Sequence, residues 1–334
     1  MALHGVALVD KPAGMSSFSV VSRLRRVFGR LGVTKAGHTG TLDPLATGLL
    51  PICIGESTKF AQRLLDADKA YLASIKLGTS TTTGDREGEI TETRPANCDA
   101  NAVQTALARF VGSIEQTPPI YSALKVAGKP AYEYARAGQA VELAKRTVQI
   151  HAITLLSYDI AAQEFDISVS CSKGTYIRTL AGDIAAALGT VGHLATLSRT
   201  RTGGFDLSAA KPLDAWMECD DATRASWLLT TDSLVAELPR LSLTANAAID
   251  IQNGKVVTVE LHTPRTLLPL LIPALDGEPA VLLRLYDPDE RFLGLGKLAP
   301  DYTLRAERLM NTHGEQSPSI RRYSFSIKAQ WHWG

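Results

Sequence analysis

The chain has 334 residues, 45% of them hydrophobic and 21% charged, with 35 Lys+Arg against 34 Asp+Glu. That apolar content excludes wholesale disorder, and the length predicts two domains or one large domain with an insertion. A net charge of +1 alone predicts no polyanionic partner, but the charge is uneven: residues 1–50 hold six basic and two acidic side chains, 101–150 six and three, and 201–250 four and eight. Local basic clusters can neutralise phosphates on a neutral protein, although any one of them also reads as a solvated helix face.

In chain order, Gly5 to Val9 reads as a short buried strand, followed by a turn at Lys11-Pro12-Ala13-Gly14. Ser17 is a plausible cap for a helix from Phe18 to Phe28, where Val20, Val21, Leu24, Val27 and Phe28 recur at helical spacing and Arg23, Arg25, Arg26 and Arg30 decorate the surface. Tyr71, Ala73, Ile75 and Leu77 alternate with polar or small neighbours as in a strand ended by Gly78. Residues 116–150 mix Lys125, Lys129, Arg136, Lys145 and Arg146 with Tyr121, Tyr132 and Tyr134; read alone, this is a helical hairpin with a tyrosine core. Asp166 to Cys171 alternates as a strand, and Thr175 to Leu188 reads as a helix stopped by Gly189. Strands and helices mix without regular βαβ repeats, so the fold class is α+β.

A change comes at Leu238-Pro239. Beyond it, Val256 to Val259, Ala280 to Tyr286 and Phe292 to Leu298 are short strand-like runs, which predicts a small β-rich domain over 240–310 after a catalytic-sized domain over 1–238. Residues 311–334 form a tail with no assigned role. The densest apolar run, Leu267 to Leu275, is broken by Pro269 and Pro273, whereas a membrane span needs about 20 residues. The N-terminus lacks a basic region followed by a long apolar stretch, so no secretory signal is expected. Cys53, Cys98, Cys171 and Cys219 lie far apart, which argues against zinc knuckles and disulfides and fits a reducing cytoplasm. The seven histidines include no HExxH, and no metal site is expected.

The most informative stretch is Gly37-His38-Thr39-Gly40-Thr41-Leu42-Asp43-Pro44-Leu45-Ala46-Thr47-Gly48. Its glycines allow tight folding, and Pro44 biases Asp43 away from helical geometry. Between Asp10 and Glu56, Asp43 is the one acid. Glycoside hydrolysis ordinarily uses two carboxylates, so a lone fixed one suits nucleophilic or electrostatic work. The plain alternative is an Asx turn closed by its own side chain. A phosphate-cradling loop fails for want of Gly-Lys-Ser/Thr.

This twelve-residue string resembles the signature of the bacterial tRNA pseudouridine synthase B family. Four further segments resemble family motifs in the same order: Val9 to Ser17, Lys69-Ala70-Tyr71, Gln116 to Lys125, and Ser172 to Leu180. The match is strong over about 5–205 and weaker over 240–310. The resemblance implies a mixed, largely antiparallel catalytic sheet flanked by helices, a thumb-like RNA-gripping insertion at 116–150, and a small PUA-like β domain. It implies conversion of uridine to pseudouridine at position 55 of the tRNA T loop by a monomer that needs no cofactor, protein partner or membrane.

By position, the resemblance makes Asp43 the catalytic aspartate and Arg178 its ion-pair partner. An Arg within reach ordinarily lowers a carboxylate pKa by about 1–3 units, which would keep Asp43 ionised. Tyr71 would stack on the target base and take part in its deprotonation, and Tyr176 and Leu197 would line the base pocket. His38 would present a flat ring to the opened RNA loop, because extruding a base costs a few kcal/mol that stacking must offset. Lys11 would support the active-site loop or a phosphate, and Lys125 would sit in the gripping insertion. Read without the resemblance, Arg178 is a helix-surface charge, Tyr71 and Leu197 are core, and His38 is a loop residue. Two rivals stay open: a guide-dependent synthase subunit of an RNA–protein particle, and an RNA-binding protein with vestigial catalysis.

Overall fold

The computed structural model describes residues 3–122, 124–139, 141–259, 272–273 and 279–311. The tail from 312 to 334, most of the Pro-rich insert at 263–279, Ala123, Ala140 and the side chain of Arg136 lie outside the described residues. The first region is organised by one mixed sheet. Its strands lie in the order Lys211–Pro212, Gly5–Lys11, Thr47–Ile54, Gly192–Thr202, Lys69–Leu77, Glu164–Cys171, Arg146–Asp159 and Gly112–Gln116. Most neighbours run antiparallel; Gly192–Thr202 runs parallel to Thr47–Ile54, and Lys211–Pro212 parallel to Gly5–Lys11. This is the expected α+β, largely antiparallel architecture.

The helices Ser17–Gly29, Ala100–Ala108 and Ile177–Ala187 cover one face. Val20, Val21, Leu24, Val27 and Phe28 form a 3.6-period stripe that packs into the main core with Leu50, Ile52 and Ile54. Phe28 meets Trp216, the ring centroids 6.1 Å apart. The helix is capped by Ser16, whose side chain accepts the Ser19 N–H, and not by Ser17. The Ser17 hydroxyl is used elsewhere: it donates to the Leu42 carbonyl at 3.0 Å and accepts the Leu42 N–H at 2.8 Å. The start of this helix is thereby fixed to the loop carrying Asp43.

Beyond Leu238, the strands Arg240–Ser242, Pro279–Tyr286, Phe292–Leu298, Thr303–Leu309 and Val257–Thr258 form a second sheet in that order, with the helix Ala245–Gln252 against it. Leu243, Ile251, Leu283, Leu285, Leu293 and Leu304 make its own core. Leu295 joins a different cluster with Leu8, Leu49 and Phe60 of the first region, and Phe292 lies 5.4 Å from Phe60 between ring centroids. The two sheets are thus joined by shared apolar burial. Among the described residues, no helix is long and apolar enough to cross a membrane.

Candidate active site

The register of two paired strands builds the mouth of the loop. Gly5–Lys11 and Thr47–Ile54 are antiparallel, with Lys11 opposite Gly48, so the loop from Gly37 to Gly48 closes over the end of the first strand. Gly48 has φ +95°, and a Cβ there would stand 2.4 Å from the Arg199 carbonyl oxygen and 2.8 Å from its nitrogen. No other residue fits that approach to the neighbouring strand. Gly37, by contrast, sits in the short strand Ala36–His38 with open space around it, so its presence is not explained by backbone need.

Within the loop, the Asp43 carbonyl accepts the Ala46 N–H at 3.1 Å and the Pro44 carbonyl accepts the Gly14 N–H at 2.8 Å. The Lys11 side chain is fully buried, and its ammonium donates to the carbonyls of Pro12, Met15 and Pro44 at 2.9, 2.7 and 3.2 Å. Burial lowers its pKa to about 8. Through Pro44 the ammonium is tied to the loop that carries Asp43.

Asp43 does not close an Asx turn. Its Oδ2 lies 2.9 Å from Arg178 Nε, with the Asp43 side chain 34% exposed and that of Arg178 5%. The contact is chiefly one of charge, because the Nε–H is not directed at an acceptor. Arg178, the second residue of the helix Ile177–Ala187, is held at its other nitrogens by the Thr83 carbonyl at 3.0 Å and the Tyr121 carbonyl at 2.8 Å. It turns away from the helix start and into the site, so it is not a surface charge. A second carboxylate completes the arrangement: Asp85 Oδ2 lies 3.7 Å from the same Nε, and Asp85 Oδ1 accepts from Thr83 Oγ1 at 2.6 Å and the Glu87 N–H at 3.1 Å.

The electrostatic outcome differs from the expectation. Asp43 is raised above its ordinary value, not lowered: burial is the largest cause, Arg178 pulls it back, and Asp85 pushes it up again. The guanidinium limits a shift that burial would otherwise make larger.

Tyr71 and Leu197 occupy the same face of neighbouring strands, with Tyr71 paired to Arg199 and Leu197 to Ala73. Both side chains are nearly buried. Burial raises the Tyr71 pKa while the charge of Arg199 lowers it. The His38 Nδ1 accepts the Gly40 N–H at 3.3 Å, and burial together with the charge of Arg199 lowers its pKa, which favours the uncharged ring. Tyr176 caps the helix of Arg178. Its backbone N–H and carbonyl are both held by the side-chain amide of Gln116, at 3.1 and 3.3 Å, and its ring lies under Arg146 at 4.6 Å. A cavity of about 190 Å3 opens beside Arg178, lined by Thr82, Thr83, Gly84, Ile120, Tyr121 and Thr179.

Family models assign the chain. Residues 25–177 match the N-terminal domain of TruB family pseudouridylate synthases, and residues 239–310 match the C-terminal domain of pseudouridine synthase II TruB. The chain is 49% identical over 308 residues to a tRNA pseudouridine synthase B of Cupriavidus metallidurans, covering 92% of this chain and 94% of that protein. It is 48% identical over 310 residues to the protein of that name from Burkholderia lata, covering 93% and 91%. The chain belongs to the TruB family of pseudouridylate synthases. It is therefore an isomerase that converts uridine to pseudouridine. In fold it resembles a chain of a Cbf5–Nop10–Gar1 complex, at TM-score 0.63 and 24% identity, covering 89% of this chain and 79% of that one.

The structure brings Asp43 against Arg178, sets His38 in the loop that carries Asp43, and puts Tyr71 and Leu197 on one face of neighbouring strands, while the Tyr176 ring lies against Arg146. Lys125 stands apart, exposed on a two-residue hairpin of Lys125–Val126 with Lys129–Pro130, whose turn residues Ala127 and Gly128 both have positive φ. The insertion is this hairpin followed by a short helix, Ala131–Arg136, in place of a helical hairpin. Three buried polar side chains escape a reading of the sequence: Asp85, Gln116 and Arg199. Asp85 follows a Thr-Gly turn that carries no periodic signal, and the other two lie in strands, where a single polar residue looks like an outward-facing one.

Proposed function

We propose that the substrate is tRNA and that the target is the T-loop uridine at position 55, flipped into a pocket formed by Asp43, Tyr71, Tyr176, Arg178 and Leu197. The observation that carries this reading is the Asp43–Arg178 pair, a partly exposed carboxylate 2.9 Å from a buried guanidinium. The relatives at 48–49% identity bear the name tRNA pseudouridine synthase B, which supports tRNA as the substrate. Asp43 promotes cleavage of the bond between ribose and the base nitrogen. The freed uracil turns within the pocket and rejoins the ribose through C5, and the proton on that carbon is then lost to solvent, with Tyr71 taking part in its removal. Substrate and product are isomers of equal oxidation state, so the balance calls for no redox partner or energy source.

The remaining residues serve this course of events. Neutral His38 offers a flat ring to the opened RNA loop, as stacking needs, and does not act as an acid. Lys11 holds the Asp43 loop through Pro44. Lys125 and the exposed hairpin contact phosphates, and the region 240–310 acts as a PUA-like module whose packing against Phe60 also supports the catalytic sheet. We read the enzyme as a cytoplasmic monomer acting on naked tRNA. Likeness to chains of Cbf5-containing complexes at 22–24% identity speaks for a shared fold, not for a guide RNA.

The test is to incubate the purified protein with an unmodified tRNA transcript, without guide RNA, and to map pseudouridine by position. One new pseudouridine in the T loop is expected. Modification elsewhere, or only when a guide RNA is added, overturns the assignment.

A further inference from the structure

Arg199 is among the largest fully buried side chains of the protein, 1% exposed, and among the described residues it has no carboxylate partner. An unpaired buried charge is expensive, so its surroundings must compensate through dipoles. Those surroundings belong to the reaction site. Arg199 Nε donates to the Leu49 carbonyl at 2.8 Å, and Nη2 donates to the Gly40 carbonyl at 3.1 Å. Gly40 and Leu49 bracket the segment that carries Asp43. The remaining nitrogen, Nη1, comes within 3.6 Å of where a Cβ would stand at Gly40. Across the sheet, Arg199 is the register partner of Tyr71 on one side and of Gly48 on the other. Its charge acts on both Tyr71 and His38.

We propose that Arg199 is a positioning residue for the isomerisation: one guanidinium ties both ends of the Asp43 loop to the central sheet and sets the Tyr71 hydroxyl against that loop. The geometry explains why the loop has glycine at both positions next to this residue. Gly48 lets the strand lie on the Arg199 backbone, and Gly40 supplies the φ of +138° at which its carbonyl receives the guanidinium. It also separates two jobs. Arg178 acts directly on the Asp43 carboxylate, whereas Arg199 touches neither carboxylate and works through backbone carbonyls and a phenol. The functional part of this inference rests on the reading of Asp43 and Tyr71 as the reacting groups; the structural part does not.

The test uses the full-length protein with Arg199→Lys, which keeps the charge and loses the fork, and Arg199→Gln, which loses both. Hydrogen exchange reads the structural part. In Arg199→Lys, the amides of Leu42 and Ala46 are expected to exchange about tenfold faster, with the amides of Ile75 and Ile167 in the central strands unchanged. Single-turnover kinetics on tRNA reads the functional part: the rate falls about 30-fold in Arg199→Gln, with tRNA affinity within about threefold of wild type. The loss in Arg199→Lys is smaller. In a Tyr71→Phe background the further loss caused by Arg199→Gln shrinks, because the two residues act together. Unaltered loop exchange in both variants overturns the proposal. So does a rate loss matched by an equal loss of affinity, or one fully additive with Tyr71→Phe. An inactive wild type would instead overturn the tRNA reading, and the exchange result would still decide the role of Arg199 in holding the loop.

Discussion

The loop that carries Asp43 and the insertion at 116–150 both reach the same arginine, yet they are held in opposite ways. The loop is fixed along its whole length by buried groups: Ser17 at Leu42, Lys11 at Pro44, and Arg199 at Gly40 and Leu49. The insertion is tied at its root, where Gln116 clasps Tyr176 and the Tyr121 carbonyl receives Arg178, while Lys125 and Lys129 at its tip stand in solvent. Chemistry needs the first arrangement, because a reacting carboxylate misplaced by about 1 Å can lose 10²-fold in rate. Recognition of a large, deformable RNA suits the second. The root of the insertion is where the two meet, since it contributes to the seat of Arg178.

The largest effect that would test this contrast lies at Arg178. Arg178→Lys keeps the charge but cannot bridge Asp43, Thr83 and Tyr121 at once, and a fall of about 10²-fold in kcat with little change in tRNA affinity is expected. Steady-state kinetics checks it; an equal fall in affinity would place Arg178 in binding and dissolve the distinction between loop and insertion. Next comes the root. Gln116→Leu leaves the Tyr176 N–H unpaired, while the Tyr176 carbonyl keeps the Leu180 N–H, so kcat is expected to fall about tenfold, with a loss of about 1–3 kcal/mol in stability by denaturant unfolding. A variant with normal kcat would show that the root is mere scaffold.

The tip gives the next smaller effect. Replacing Lys125 and Lys129 by Gln is expected to raise KM by a few-fold, leave kcat unchanged, and reduce the salt slope of tRNA binding by about 1 for each phosphate no longer neutralised. A changed kcat would mean that the tip, too, belongs to the rigid set. The pH profile gives the smallest. Asp43 is raised above its ordinary value, and its ionised form is required, so kcat/KM falls as pH drops through that raised pKa. Asp85→Asn removes one of the charges that raise it, so the acid limb moves to lower pH. A shift in the other direction would mean that loosening of Arg178 outweighs the lost repulsion.

Much of this is legible in the sequence. The alternation at Tyr71 to Leu77, the helical stripe from Val20 to Phe28 and the change at Leu238 each follow from burial on one face, which is a local pattern. Ends are less legible. The first strand runs on to Lys11 because its partner extends to Gly48, and Ser16 caps the helix because the Ser17 hydroxyl is taken by Leu42; both facts arise from distant segments. The resemblance to the family's motifs marks Asp43, Tyr71 and Arg178, and the structure brings them together. It includes Gln116 in a motif without giving it a role, and it does not mark Asp85 or Arg199; these act through backbone groups, turns and register. The sign of the Asp43 shift escapes the sequence for a related reason. A neighbouring arginine can be inferred from a motif, whereas the burial that outweighs it is a property of the folded loop.

The account rests on Asp43 as the reacting carboxylate, and Asp43→Asn tests it most directly: the variant has the same shape, without the charge. Pseudouridine formed in a tRNA transcript should be counted for both proteins under single-turnover conditions, with tRNA binding measured alongside. The account predicts that the variant binds tRNA with an affinity close to that of the wild type and forms no detectable pseudouridine. Equal amounts of pseudouridine from the two proteins would contradict it.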